Sequence, residues 1–302
     1  MKTNISMQLI EKLWKRRRKT VLLLFVISMI SVSVAQAQEE EEPTVDKPVK
    51  AIFESAVLID NQSVDVPIKG TFEFDIQHRF GTLQNGFEDL FGLYAPSNMR
   101  MGFTYSPIEN LALGFGFAKR KNLLDFSGKY ALLRQSRSGK MPLSVTYYGN
   151  VTLDPREEGN REEVFNKSDR LSFFHQVIIA RKVTDWLSLQ VAPSLSHYNV
   201  INKYMENDHY ALSFGGQVKL TSVTSIIANV DQPLTKHTLY NPNPNISLGV
   251  QFTSSSHAFQ IFVANFNSLS PQENNVFNTH NYADKITENF LIGFNITRLW
   301  NW

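Results

Sequence analysis

From Gly70 to the C-terminus the chain repeats one pattern with little interruption, and that pattern leaves few folds open. Apolar and polar residues alternate with period 2, the signature of a strand with two different faces. Phe72, Phe74, Ile76 and Phe80 alternate with Glu73, Asp75, Gln77 and Arg79. Met99, Met101, Phe103 and Tyr105 alternate with Arg100, Gly102 and Thr104. Leu111, Leu113, Phe115 and Phe117 alternate with Ala112, Gly114, Gly116 and Ala118. The pattern continues, less cleanly, through 123–134, 141–152, 169–182, 185–198, 208–220, 222–230, 245–253 and 257–266, and closes with 288–302. That makes twelve expected strands, most of them reaching the about 9–11 residues that cross a bilayer at a tilt.

The connections separate a soluble sandwich from a membrane barrel. Those at 106–110, 135–140, 183–184, 221 and 254–256 are short. Those at 81–98, 153–168, 199–207, 231–244 and 267–287 are long and polar, and 119–122 is a short exception. A transmembrane barrel alternates short turns on one side with long loops on the other. The last strand carries Phe290, Ile292, Phe294, Ile296, Trp300 and Trp302 on one face, and Arg298 breaks the row. Phe294, Ile296, Trp300 and Trp302 resemble the C-terminal signal that outer-membrane barrels present to their assembly machinery. The two indoles suit a membrane interface. The expected fold is all-β: an antiparallel up-and-down transmembrane barrel of about twelve strands over residues 70–302.

Three segments precede it. Residues 1–37 read as a cleaved secretory signal, with a basic stretch from Lys12 to Lys19, an apolar stretch from Val21 to Val34 and Ala35-Gln36-Ala37 as the cleavage site. Residues 38–50 read as a solvated acidic tether. Residues 51–69 read as a short arm or hairpin, either periplasmic or tucked into the barrel mouth. The first 37 residues hold seven of the 30 Lys and Arg and one of the 28 Asp and Glu, which leaves 23 basic and 27 acidic residues in the mature chain. The basic balance of the whole chain therefore belongs to the signal, and a nucleic-acid partner is not expected. There is no cysteine, which excludes disulfides, thiolate metal sites and cysteine nucleophiles.

The stretches Phe74-Asp75-Ile76-Gln77-His78-Arg79-Phe80-Gly81, Asp89-Leu90-Phe91-Gly92-Leu93 and Lys129-Tyr130-Ala131-Leu132-Leu133-Arg134-Gln135 resemble those of a β-barrel family of exported Gram-negative bacterial proteins. The resemblance runs over most of the mature chain. It implies the fold and an outer-membrane location and brings no catalytic residues, because the family has none assigned.

The polar faces of the first four strands place Glu73, Asp75, Arg79, Arg100, Asp125 and Lys129 toward the lumen. They form either a charged constriction that selects solutes by sign or a self-paired network filling the interior. Gly102, Gly114 and Gly116 share that face and leave room for a solute or an inserted segment, or else permit the bending that closure needs. The seven histidines show no metal-ligand spacing, and neither a metal nor a cofactor is expected. Ser194, Ser196, His197 and Asn199 cluster on one strand. Neighbours two apart share a face, so His197 and Asn199 meet while Ser196 does not reach His197. A hydrolase would need its nucleophile from an adjacent strand. The leading expectation is a narrow pore for small polar solutes, with outer-membrane lipids and the barrel-assembly machinery as partners. A closed structural or partner-binding barrel is the alternative, ahead of a lipid hydrolase.

Overall fold

In the computed structural model, residues 46–156 and 166–301 are described. The expected signal, residues 38–45 of the tether, and Trp302 lie outside the described residues. Residues 46–48 and 136–142 form a small unit of their own, in which Pro48 bridges Ser136 and Arg137 N–H donates to the Lys47 carbonyl at 2.9 Å. The end of the expected tether is thus paired rather than free.

The second unit holds the barrel. Two short strands, β1 (Val57–Leu58) and β2 (Asn61–Gln62), form a hairpin. Twelve strands follow: β3 (Thr71–Thr82), β4 (Asn98–Ile108), β5 (Leu111–Ala118), β6 (Leu124–Leu133), β7 (Ser144–Leu153), β8 (Leu171–Lys182), β9 (Leu187–Tyr198), β10 (Asp208–Lys219), β11 (Thr224–Pro233), β12 (Asn245–Thr253), β13 (His257–Ala264) and β14 (Leu291–Asn301). Each pairs antiparallel with its sequence neighbours, and β14 pairs with β3 from Leu291↔Thr82 to Asn301↔Thr71. Closure leaves no sheet edge, which is what a membrane requires of strands. Among the described residues, no helix is long and apolar enough to cross a membrane.

Period 2 sets the faces. In β3 every inward residue from Thr71 to Arg79 is buried, while the Phe and Ile between them are only partly covered by protein. Phe103, Leu113, Phe126, Leu248 and Ile261 are exposed outward. Soluble monomers rarely expose an apolar belt of this kind, which is what the outer wall of a membrane barrel carries.

The inside-polar arrangement creates a volume problem. Eight strands make a barrel whose own side chains fill it, and the diameter grows with strand number. Twelve strands leave a hole, and two segments of the chain occupy it. The arm of residues 51–67, whose position the sequence left open, runs up the lumen and back, with its tip at Ile59–Asp60. Ile52, Phe53, Leu58, Ile59 and Val64 join Phe174, Ile178, Ile227 and Phe262 of the wall in one buried apolar cluster. From the long-loop end, the helix Pro271–Phe277 descends, with Gln272 to Val276 buried.

Candidate functional site in the lumen

The arm is held mainly through its backbone. Asp65 accepts from Ile52 N–H at 3.0 Å and Phe53 N–H at 2.7 Å, closing the base of the hairpin. At the tip, Ile59 has φ 60°, a region where a β-branched residue is an outlier. Its neighbours hold it there: Ile59 N–H donates to Gln260 Oε1 at 3.3 Å, and its carbonyl accepts from Asn295 Nδ2 at 2.7 Å and from an Arg79 guanidinium nitrogen at 3.2 Å. Asn229 Nδ2 donates to the Leu58 carbonyl. Asp60 lies 3.6 Å from Arg79 and accepts from Asn274 Nδ2 at 2.8 Å, so the arm tip touches the helix that enters from the other end. That helix is fastened in turn by Gln272 Nε2 to Asn150 and Thr152 and by Lys121 Nζ to Glu273 Oε1 at 2.5 Å. Lys121 comes from the short connection between β5 and β6.

Burial pushes the Asp60 carboxyl up to about 6, against the pull of Arg79 in the other direction. The folded-state value lies above the unfolded value of about 4, so the folded chain holds this proton more tightly. Its contribution to stability grows as pH falls through 6 and is lost as pH rises through 6. Acidification from neutral pH toward about 4 is therefore expected to raise the unfolding midpoint of the native chain relative to Asp60→Asn. A difference between the two that stays constant with pH contradicts this assignment.

All six expected lumen charges point inward. Arg100 is the centre of the group: its Nη1 lies 3.1 Å from Asp75 Oδ1, its Nη2 2.8 Å from Asp125 Oδ1 and its Nε 2.9 Å from Asp125 Oδ2. Arg79 serves the arm tip. Lys129 Nζ donates to the Ala56 carbonyl and to Gln62 Oε1, both at 3.3 Å. Asp75, Arg100 and Asp125 thus form a paired group, and the other two cations bind the arm, a role that wall patterning alone could not show.

The glycines explain how Arg100 reaches both partners. Asp75, Gly102, Gly116 and Asp125 lie in one register row across β3, β4, β5 and β6. The Arg100 side chain lies over that row, where a Cβ on Gly102 would meet Asp75 and Arg100 and one on Gly116 would meet the guanidinium. The two glycines make room for an arginine rather than for a solute. A Cβ on Gly114 would meet Ser127 Oγ at 2.5 Å. Gly116→Ala is expected to destabilise the barrel by about 1–3 kcal/mol through overpacking. Gly128→Ala, whose added methyl finds only Leu113 at 3.8 Å, is the near-neutral control. Equal unfolding midpoints for the two variants would remove the steric role given to Gly116.

Between the arm and the β3–β8 wall remains a slot of about 60 Å³. Its lining runs from Pro67 and Ala112 at the short-turn end to Leu123 and Ser270 at the long-loop end, past Glu73, Asp75, Arg100, Asp125 and Lys129. Space for a water takes about 10–15 Å³, so the slot has room for a few waters and none for a sugar.

The remaining residues singled out by sequence fall elsewhere. Ser194 and Ser196 are buried on the inner face. His197 contacts Asp208 at 2.7 Å and Asn199 at 3.2 Å. The residues opposite it on the flanking strands are Phe173 and Asp208, neither of which carries a nucleophilic hydroxyl. His209 and His237 meet at 3.1 Å. Among the described residues, no group of three or more His, Asp and Glu side chains is arranged to hold a metal ion. On the C-terminal strand, Phe294 stacks on His78 and Ile296 is exposed outward. Trp300 packs on Phe72, and Arg298, the break in the apolar row, lies over its ring at 4.7 Å.

A closed antiparallel barrel with an apolar exterior, a polar interior and its own chain folded into the lumen is a membrane-spanning β-barrel. The chain belongs to the family described as Membrane bound beta barrel domain (DUF5777), whose profile matches residues 53–300. No curated protein sequence matches it. Among solved structures it is similar to the KdgM porin at 8% identity, with 77% of this chain and 99% of that one covered and a TM-score of 0.45. The NanC porin is 7% identical, with 76% and 99% covered and a TM-score of 0.46. The COG4313 outer membrane channel from Pseudomonas putida F1 is 11% identical, with 78% and 97% covered and a TM-score of 0.46.

Proposed function

We propose that this protein is an outer-membrane channel for ions and very small polar solutes, narrowed to a file of waters by its own N-terminal arm. The observation that carries this reading is the polar slot of about 60 Å³ beside the arm. A barrel built only as a scaffold has no need of a charged lining along a gap that its arm leaves unfilled. The outer-membrane location rests on the signal-like N-terminus together with the barrel, because exported strands of this kind close in that membrane. Outer-membrane lipids cover the apolar belt, and the last strand, with Phe294, Ile296 and Trp300, is the part offered to the assembly machinery. The reading assigns no reaction and no cofactor to the chain.

The apolar cluster that fixes the arm to the wall favours a second reading, a permanently closed, partner-binding barrel. Flux through vesicles separates the two. Vesicles holding the intact protein are expected to pass small inorganic ions and to exclude disaccharides. Vesicles as tight to ions as empty ones would reject the channel and favour the closed barrel.

A further inference from the structure

The lumen charges do not cancel. Along the slot, Asp60, Glu73, Asp75 and Asp125 stand against Arg100 and Lys129, with Arg79 beside Asp60, and across the lumen Asp231 accepts from the Ser213 hydroxyl and from the amides of Asn61 at 2.6 Å and Asn245 at 3.3 Å, all of them neutral. The balance of three against three on the first four strands is upset by acids that the arm and the far wall contribute. Arg79 accounts for Asp60, and Arg100 accounts for both Asp75 and Asp125. Lys129 bonds the arm only through neutral acceptors, so its charge also acts on Glu73, though without a contact between them.

Glu73 is left over. Its residue is only 5% exposed, it lines the slot, and no hydrogen bond or ion pair within the described residues reaches its carboxylate. An ionised carboxylate buried in a low-dielectric interior is costly unless something compensates it. In register beside it stand Thr104 of β4, Gly114 of β5 and Ser127 of β6, all lining the same slot. One carboxylate and two hydroxyls, the latter both over Gly114 and that of Ser127 also bonded to Tyr148, form a small group of hard oxygen donors. Such donors suit an alkali cation that keeps part of its water. A calcium ion takes about 6–8 oxygens, usually several of them carboxylates, and one free carboxylate is too few.

We propose that Glu73 binds a monovalent alkali cation in the slot, with Thr104 and Ser127 beside it, and that this site makes the channel cation-selective. The selectivity rests on the channel reading above, whereas the binding does not. Acidic side chains at a constriction favour cations by the same electrostatics.

Two measurements keep the parts separate. At mildly alkaline pH, the unfolding temperature of the intact protein in detergent is compared in potassium chloride and in N-methylglucamine chloride at equal ionic strength. The expected result is a higher midpoint in potassium that disappears in Glu73→Gln and shrinks in Thr104→Val. Equal midpoints for the native chain in the two salts overturn the binding site, and that comparison needs no variant. In a bilayer, the reversal potential across a potassium chloride gradient is expected to show a cation preference that falls several-fold in Glu73→Gln. An anion preference, or a potential unchanged in Glu73→Gln, overturns the selectivity. Absence of any current overturns the channel reading and leaves the salt-dependent midpoint to decide the site.

Discussion

Replacing Arg100 by Ala is expected to cost the folded barrel about 3–5 kcal/mol, the range seen when one member of a buried charge group is removed. The guanidinium joins two carboxylates from strands three apart around the wall, and its contact with Asp125 is bidentate, the strong geometry for this pair. Without it, Asp75 and Asp125 face each other across Gly102 and Gly116 with no cation between them. Arg100→Lys keeps the charge but loses the planar fork, so it is expected to restore only part of the loss. Adding Asp125→Asn to Arg100→Ala removes one of the stranded charges and is expected to recover stability, a non-additivity that a double-mutant cycle reads directly. Denaturant midpoints for the native chain, Arg100→Ala, Asp125→Asn and the double variant give the result. Additive losses would mean that the triad is not an energetic unit.

The second large effect concerns the arm. Deleting residues 51–67 is expected to leave a barrel that still closes, since every ladder from β3 to β14 is formed by the wall itself. It is also expected to open the lumen to disaccharides that the intact chain excludes. Twelve strands enclose more space than their side chains fill, and the arm fills most of what the helix Pro271–Phe277 leaves. The deletion exposes Phe174, Ile178, Ile227 and Phe262 to water and leaves Arg79 and Lys129 without their arm partners. A lower unfolding midpoint should therefore accompany the wider pore. Unchanged exclusion of disaccharides would place the closure elsewhere, in the helix Pro271–Phe277.

The barrel was legible in the sequence because its physics is local: alternation writes the lipid face and the lumen face into neighbouring residues. The inward placement of Glu73, Asp75, Arg79, Arg100, Asp125 and Lys129 follows from that alternation alone. What stayed hidden depends on contacts distant in the chain. Asp60 meets Arg79 and Asn274, and Asn61 meets Asp231, across the lumen and far apart in sequence. Residues 51–67 have no long periodic run to show what surrounds them, so their insertion could not be read. The function of Gly102 and Gly116 was hidden for a related reason. A glycine opposite a glycine signals space, but only the path of the Arg100 side chain shows what takes it. Trp300 shows the opposite case, since its place beside Phe72 follows from the alternation of its own strand.

The central claim is that the lumen is a conduit whose free width is set by the arm. Single-channel recording of the intact protein and of the chain lacking 51–67, side by side in planar bilayers, tests it most directly. The account predicts a small, steady conductance for the intact chain and an increase on the order of tenfold for the shortened one, because a twelve-strand lumen is then narrowed only by the helix Pro271–Phe277 and its own side chains. Equal conductances, or silence from both barrels after each is shown to be folded, would contradict it.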